Sequence, residues 1–350
     1  MAPRTEFHAL RVADVETLTD DSAAVRFDVP QELREDFRFA PGQSLTLRRG
    51  DERRSYSICA PAGQAPRIGI REVAGGLFSG WLIHQVRVGD LIDVQAPAGS
   101  FSPDLTTPGR HVLIAAGSGI TPMLSIAASV LAADPGSTVT LIYGNRRSDS
   151  VMFADEVADL KDSYPARMHL VHVLSREPQE VDLFSGRLDA ERLRRLLPAT
   201  FDVAGVDHFW LCGPFGMITD AIQVLTEFGV PAGRIHRELF YVGADPPVGT
   251  RHDDAPAGPG AEVTVVLDGR SATAIVPPDV TVLDGAQKIR PDLPFACKGG
   301  VCGTCRALVT HGEVRMRRNF ALEEAEVRAG YVLTCQALPV SDTVTVDFDS

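Results

Sequence analysis

The sequence predicts a multidomain architecture, part all-β and part α/β: an antiparallel β-barrel, then an α/β domain on a parallel sheet, then a small domain with a mixed sheet. Three observations lead there. Short β-rich runs punctuated by turns occupy residues 9–108; from Arg110 apolar strands alternate with helical stretches; and after a Pro- and Gly-rich interval the chain returns to β patterning around a glycine-rich loop with three cysteines. The predicted boundaries are 1–108, 109–243, an interval at 244–261, and 262–350. A chain of 350 residues, 44% of them apolar and 23% charged, has room for two or three globular domains of ordinary size.

In the first region the strands are read at 24–29, 44–47, 54–58, 67–70 and 91–94, a spacing that suits a small antiparallel barrel. Between them Gly75-Gly76-Leu77-Phe78-Ser79-Gly80 breaks the β rhythm and reads as a glycine turn opening a helix. A helix start of this kind can receive a phosphate, because its free N–H groups and the positive end of its dipole face the anion.

From Arg110 the rhythm changes. His111-Val112-Leu113-Ile114-Ala115-Ala116 is a continuous apolar run, as buried parallel strands are, and it leads into Gly117-Ser118-Gly119-Ile120-Thr121-Pro122-Met123. Thr121 is placed to cap the following helix and Pro122 to be its first residue, with the glycines in a turn that aims helix N–H groups at a ligand. Further strands are read at 138–143, 168–174 and 208–212, and helices near 152–161, 190–197 and 215–228. Ligands then belong at the carboxyl ends of the strands. Three informative sequences lie there: the glycine turn, Gly144-Asn145-Arg146-Arg147-Ser148, and Cys212-Gly213-Pro214.

The interval from Gly243 on, rich in Pro, Gly, Ala and Asp, has little that packs and reads as a linker. Beyond it come a hairpin over 263–276, a helix at 282–288, the cysteine loop and an alternating strand at 343–348. Cys297, Cys302 and Cys305 stand at C-x4-C-x2-C spacing and Cys335 follows, the ligand pattern of a plant-type 2Fe–2S cluster. Two tetrahedral irons bridged by sulfide need four thiolates. Gly299, Gly300 and Gly303 let the backbone wrap such a group closely and bring N–H groups to its sulfurs. A structural zinc ion is the alternative, although zinc sites favour C-x2-C pairs on both sides and Cys335 stands alone. Cys59 and Cys212 remain as isolated thiols.

The formal charge of −12, with no basic run, argues against nucleic acid as a partner. The first residues lack the apolar core of a signal peptide and no stretch approaches eighteen consecutive apolar residues, so a cytoplasmic protein without membrane contact is expected.

Taken in order, Arg54-Ser55-Tyr56-Ser57, Gly75-Gly76-Leu77-Phe78-Ser79, Gly117 to Met123, Tyr143-Gly144-Asn145-Arg146 and Cys212-Gly213-Pro214 resemble the ferredoxin–NADP reductase superfamily. With the cysteine loop, Gly330-Tyr331-Val332-Leu333-Thr334-Cys335-Gln336-Ala337-Leu338-Pro339 and the ending Val346-Asp347-Phe348-Asp349, the chain is similar, more narrowly, to the reductase subunits of bacterial phenylacetyl-CoA epoxidase complexes. The resemblance implies an FAD-binding barrel, an NAD(P)-binding α/β domain and a β-grasp 2Fe–2S ferredoxin domain. It places Arg54 on the FAD pyrophosphate, Tyr56 against the isoalloxazine, Ser57 near flavin N5, and Ser79 with the backbone of Gly76, Leu77 and Phe78 on the phosphates. It places the nucleotide pyrophosphate at Gly117, Ser118, Gly119 and Thr121, with the nicotinamide near Cys212 and Gly213. Ser57, Cys212 and Glu238 match the positions that orient nicotinamide and flavin. Phe240, ahead of the linker, is the candidate for the aromatic residue that stacks on flavin in chloroplast-type members.

A nicotinamide gives up two electrons at once and a 2Fe–2S cluster accepts one, so a flavin is needed between them. The expected route runs from NADPH, or NADH, through FAD and the cluster to a separate di-iron oxygenase of the phenylacetyl-CoA epoxidase type. Arg146, Arg147 and Ser148, with no acidic residue before Asp149, favour the 2′-phosphate of NADPH. The competing readings are the reductase of another oxygenase, such as an aromatic-ring or steroid hydroxylase, and a non-catalytic iron–sulfur redox sensor, which has no need of paired FAD and dinucleotide motifs.

Overall fold

The computed structural model describes residues 6–50, 52–240, 260–322 and 324–350. Two compact units are present, one of residues 7–50 and 56–240, the other of residues 260–350 together with Glu6 and Glu52–Ser55. The expected linker at 244–261 lies almost wholly outside the described residues.

The first unit opens with β1 (Phe7–Thr19), β2 (Ser22–Asp28), β3 (Ser44–Arg49), the last two residues of β4 (Glu52–Ser57), β5 (Arg67–Arg71), helix α1 (Leu77–His84) and β6 (Leu91–Gln95). These strands form one sheet in the order β4-β3-β6-β1-β2-β5. An antiparallel bridge between Ile58, just past β4, and Ile68 on β5 joins the two ends of the sheet, so the strands close into the predicted barrel. Strand β1 was not foreseen. Only Leu10 and Val12 on it are fully buried, its apolar signal is diluted by exposed Arg11 and Glu16, and register shifts after Val12 and Thr17 break its alternation. The barrel core is Leu10, Val25, Phe27, Leu45, Leu47, Ile58, Ile70 and Val94 with their neighbours.

The same unit continues with β7 (Arg110–Ala116), α2 (Ile120–Ala133), β8 (Thr138–Asn145), α3 (Ala154–Ser163), β9 (Met168–Leu174), α4 (Ala190–Thr200), β10 (His208–Gly213), α5 (Phe215–Glu227) and β11 (Ile235–Leu239). The order β11-β10-β7-β8-β9 is parallel throughout. The chain leaves β7 for β8 on one side and later returns to β10 on the other, and that reversal opens a crevice at the carboxyl ends of β7 and β10. One expectation is corrected. Helix α2 begins at Ile120 with Gly119 as its cap residue, not at Pro122 with Thr121 as cap; a single 3-10 turn at Gly117–Gly119 has already started the coil, and the Thr121 hydroxyl donates back to the Ser118 carbonyl at 2.8 Å.

Within this unit the buried Arg67 of β5 binds two carboxylates, Glu16 of β1 and, by a two-pronged contact at 2.8 and 3.0 Å, Glu156 of α3. Barrel and α/β sheet are thereby tied through one guanidinium, whose planar fork suits paired carboxylates. Arg67→Ala is expected to cost about 2 kcal/mol, because it removes a buried guanidinium shared by two part-exposed carboxylates, whose solvation offsets part of the loss. Urea unfolding read by the near-ultraviolet signal measures it, and a loss below about 1 kcal/mol contradicts the assignment.

The second unit contains β12 (Ala261–Leu267), β13 (Arg270–Val276), α6 (Val282–Ala286), β14 (Arg306–His311), β15 (Val314–Met316), α7 (Glu324–Arg328), β16 (Tyr331–Leu333), β17 (Ala337–Pro339) and β18 (Thr343–Asp347). A mixed sheet runs β13-β12-β18-β14-β16, with β12 and β18 parallel and the other pairs antiparallel; β15 and β17 make a separate pair. The predicted hairpin turns at Asp268 and Gly269, both left-handed at φ of 53° and 66°, the geometry that matches the twist of a two-residue loop. Helix α6 buries Val282, Leu283 and Ala286 in the core of this unit and ends at Ala286, two residues short of the expected 288. Sheet and helix together make the β-grasp.

Candidate functional site

The loop between α6 and β14 carries Cys297, Cys302 and Cys305, and the turn between β16 and β17 carries Cys335. Cys305 and Cys335 are buried, while Cys297 and Cys302 are partly buried. The thiols interact electrostatically in two pairs, Cys297 with Cys302 and Cys305 with Cys335. The neighbouring Cys302 thiol, with donors from backbone N–H groups, holds the Cys297 thiol below its ordinary value. Its sulfur accepts from Gly299 N at 3.3 Å and Val301 N at 3.5 Å, and the Gln336 amide reaches the Cys335 sulfur at 3.6 Å. Two pairs of thiols, each able to clasp one iron, suit a two-iron cluster.

The glycines of the loop answer to contacts and backbone shape. Gly300 and Gly303 are left-handed at φ of 79° and 68°, and a Cβ at Gly300 would press on the Gln336 side chain at 3.0 Å. Lys298, also left-handed, anchors the loop to α6 through its ammonium on Asp284 and Gln287, both at 2.8 Å. On the far side the Thr334 hydroxyl donates to the Cys305 carbonyl at 2.9 Å. Thus the fourth ligand is held in place by the residue before it.

In the first unit, the turn Gly75-Gly76 opens α1 as predicted, Gly75 at φ of 72°. The Ser79 hydroxyl closes that turn, accepting from Val73 N at 3.0 Å and donating to Gly76 O at 3.3 Å, while Leu77 is exposed and Phe78 buried. The Tyr56 ring is stacked on Phe78, centroids 6.2 Å apart and planes 28° from parallel, so one face of the ring is backed by the barrel. Arg54 lies on the edge strand β4, its guanidinium about half-exposed and 3.9 Å from Glu52, with donors left for a diphosphate.

At the crevice, Gly117 is left-handed at φ of 55°, and Gly119 lies so close to the end of β10 that a Cβ would overlap the Cys212 carbonyl. Only a glycine lets α2 start there, with Ser118 and Thr121 beside it, and the first N–H groups of a helix are donors of the kind that can receive a phosphate. Next to it Cys212 of β10 stands opposite Glu238 of β11 in the parallel register, and the buried Ser57 hydroxyl donates to Glu238 at 3.1 Å. The structure therefore brings Ser57, Cys212 and Glu238 together from three strands. Burial raises the Glu238 carboxyl to about 7, the Ser57 hydrogen bond only partly opposing it, and burial pushes the Cys212 thiol well above its ordinary value. Gly213 follows in extended backbone, and Phe240 is partly exposed one residue past β11.

Arg146 and Ser148 are exposed beyond β8. The backbone N–H and hydroxyl of Ser148 both donate to Glu177, each at 2.9 Å, and Arg147 pairs with Asp149 at 3.3 Å. Glu177, from the loop after β9, was not foreseen; a carboxylate about thirty residues away leaves no local mark in the sequence. Nor was Arg71, which ends β5 and whose Nη1 lies 3.2 Å from where a Cβ at Gly117 would stand, with its Nε on Asp21 at 2.9 Å. The placement puts a guanidinium beside the Gly117 turn. Its only trace is a charged residue closing an apolar strand.

Family models match along the whole arrangement: an oxidoreductase FAD-binding domain over residues 9–102, an oxidoreductase NAD-binding domain over 113–223 and a 2Fe-2S iron-sulfur cluster binding domain over 265–340. One component of the 1,2-phenylacetyl-CoA epoxidase of Escherichia coli (strain K12) is 43% identical over 355 residues, 99% of each chain. The ferredoxin reductase component of the 3-ketosteroid-9-alpha-monooxygenase of Mycolicibacterium smegmatis is 37% identical over 354 residues, 97% of this chain and 96% of that one. Phthalate dioxygenase reductase, solved as a modular structure for electron transfer from pyridine nucleotides to a 2Fe–2S centre, shares the fold with a TM-score of 0.59 at 24% identity over 98% of both chains. Among the described residues no helix is long and apolar enough to cross a membrane. The chain belongs to the reductase components of oxygenases, oxidoreductases that carry electrons from a nicotinamide nucleotide through FAD to a 2Fe–2S cluster.

Proposed function

We propose that this reductase takes electrons from NADPH and delivers them to a di-iron oxygenase that epoxidises phenylacetyl-CoA. What supports the acceptor is the 43% identity, over 99% of both chains, to a component of the 1,2-phenylacetyl-CoA epoxidase, higher than the 37% to the steroid monooxygenase component. In this reading residues 1–108 bind FAD, 109–243 bind the nucleotide, 244–261 link, and 262–350 hold the cluster through Cys297, Cys302, Cys305 and Cys335. The six unpaired cysteines suit a reducing cytoplasm.

When bound, the nicotinamide would supply hydride, FAD the conversion of a two-electron donor to one-electron steps, and a 2Fe–2S cluster held by Cys297, Cys302, Cys305 and Cys335 one-electron transfer to the acceptor. The chain's own part is positioning. Gly117, Ser118, Gly119, Thr121 and Arg71 seat the nucleotide diphosphate; Arg54, Gly76, Leu77, Phe78 and Ser79 seat the FAD phosphates; Tyr56 and Phe240 flank the flavin. Ser57 is oriented by Glu238, with Cys212 as a neutral wall beside the nicotinamide. The test is to combine the purified protein, NADPH and a phenylacetyl-CoA oxygenase of the same source and to follow epoxide formation; electrons that reach other acceptors while no epoxide forms refute the assignment.

For the nucleotide, Arg146→Ala is expected to lower kcat/KM for NADPH about tenfold and that for NADH far less, since in this reading the exposed guanidinium serves the 2′-phosphate dianion that NADH lacks. Glu177→Gln should move the same ratio upward, because it removes a carboxylate from the Ser148 donors. Steady-state kinetics with both nucleotides decide it; equal values in all three proteins remove the preference.

A further inference from the structure

In a chain of net charge −12, Arg315, Arg317 and Arg318 stand within four residues, and all three are exposed. Their neighbours are paired, Arg306 with Glu326 at 3.0 Å and Arg328 with Glu324 at 3.5 Å, but among the described residues no carboxylate is within ion-pair distance of these three. The segment that carries them is stitched to both halves of the cysteine site. Arg317 N donates to Gln336 O at 2.9 Å, next to Cys335; Phe320 N donates to Gly300 O at 3.1 Å, in the cysteine loop. The Gln336 amide closes the ring on the Lys298 carbonyl at 2.9 Å. Arg317 and Arg318 are thus fixed on the rim of the cluster site by backbone hydrogen bonds, with side chains exposed to water.

We propose that Arg317 and Arg318 form the docking rim for an acidic surface of the electron-accepting protein. This rests on the reading that a separate protein takes the electrons. Guanidinium groups offer carboxylates two parallel hydrogen bonds and, on an acidic chain, mark a local surface that attracts a negatively charged partner. Such a rim speeds encounter and orients the partner over Cys297 and Cys302, the two less buried of the four cysteines. One electron crosses per encounter, so the acceptor is reduced singly by what NADPH gave as a pair.

The experiment uses the full holoprotein and Arg317→Glu with Arg318→Glu, checked for unchanged iron content and visible spectrum. Two acceptors are compared across a salt series: the oxygenase of the same source and a basic cytochrome c, the rate of a Cys335→Ser background being subtracted. The expected result is an apparent KM for the oxygenase raised about tenfold or more at low salt, with the difference shrinking as salt screens it, and cytochrome c reduction accelerated severalfold. Calorimetric binding of the oxygenase should weaken in parallel. A cytochrome c rate that does not move, or two acceptors that shift in the same direction, overturns the proposal. So does slowed NADPH reduction of the cluster in stopped flow, which assigns the arginines to transfer inside the chain. If wild type reduces cytochrome c but supports no epoxide formation, the epoxidase reading fails, and the cytochrome c comparison still decides the rim.

Discussion

Cys335→Ser is expected to yield a protein that is still yellow and still bleached by NADPH, yet contains no iron and passes no electrons to its oxygenase. The effect should be the largest of any single substitution. Cys335 is buried, paired with Cys305 and held by Thr334 and Gln336, so no water or neighbouring side chain can take its place. A hydroxyl is a far weaker ligand than a thiolate for iron. Acceptor reduction should fall about a hundredfold or more, to the level of direct transfer from the flavin. Of the flavin and nucleotide residues all but Arg54 lie in the other compact unit, which is why FAD content and its reduction by NADPH should stay near wild type. Iron analysis and the visible spectrum read the outcome. Retained iron contradicts the ligand set; loss of flavin as well contradicts the separability of the two units.

The second large effect belongs to Ser57 and Glu238. Ser57→Ala removes the hydroxyl held at 3.1 Å from Glu238, and flavin reduction in stopped flow should slow about 10–100-fold with FAD still bound. Glu238→Gln should slow it similarly and erase a pH dependence. Burial raises the Glu238 carboxyl from 4.5 to about 7, so in wild type the group ionises near neutrality, and a carboxylate beside a nicotinamide that becomes positive favours the reaction above pH 7. The rate should therefore climb through pH 7 in wild type and stay flat in Glu238→Gln. Stability runs the other way. The folded protein holds this proton more tightly than the unfolded chain does, so the contribution is complete below pH 4.5 and is lost as pH rises through about 7. A wild-type profile that is flat across pH 7 removes Glu238 from the step.

The cysteine loop and the Gly117 turn were legible because their chemistry is local: ligands and glycines sit within a dozen residues, and each glycine answers a left-handed backbone or a close contact. Strand β1 was hidden because charged residues line its outer face. The start of α2 was misplaced because Thr121 and Pro122 fit a cap by propensity, while a turn at Gly117–Gly119 already supplied the coil. Ser57, Cys212 and Glu238 came from resemblance; what spacing alone could not tell is that β10 and β11 run in register so that Cys212 faces Glu238. Arg71 and Glu177 act across the fold, and long-range contact is what a linear pattern does not record.

The centre of the small mixed sheet carries a consequence for biosynthesis. Strand β12, the first of its unit, is zipped in parallel to β18, which also borders β14 at the end of the cysteine loop. A ribosome delivers Cys297, Cys302 and Cys305 well before Thr343–Asp347, and until those residues appear the middle of the sheet is missing. Pairing across so long a stretch of chain is slow to close. Iron and sulfide must therefore be installed after synthesis has passed residue 347, whereas the flavin unit, complete by residue 240, can fold and collect its cofactor on the nascent chain.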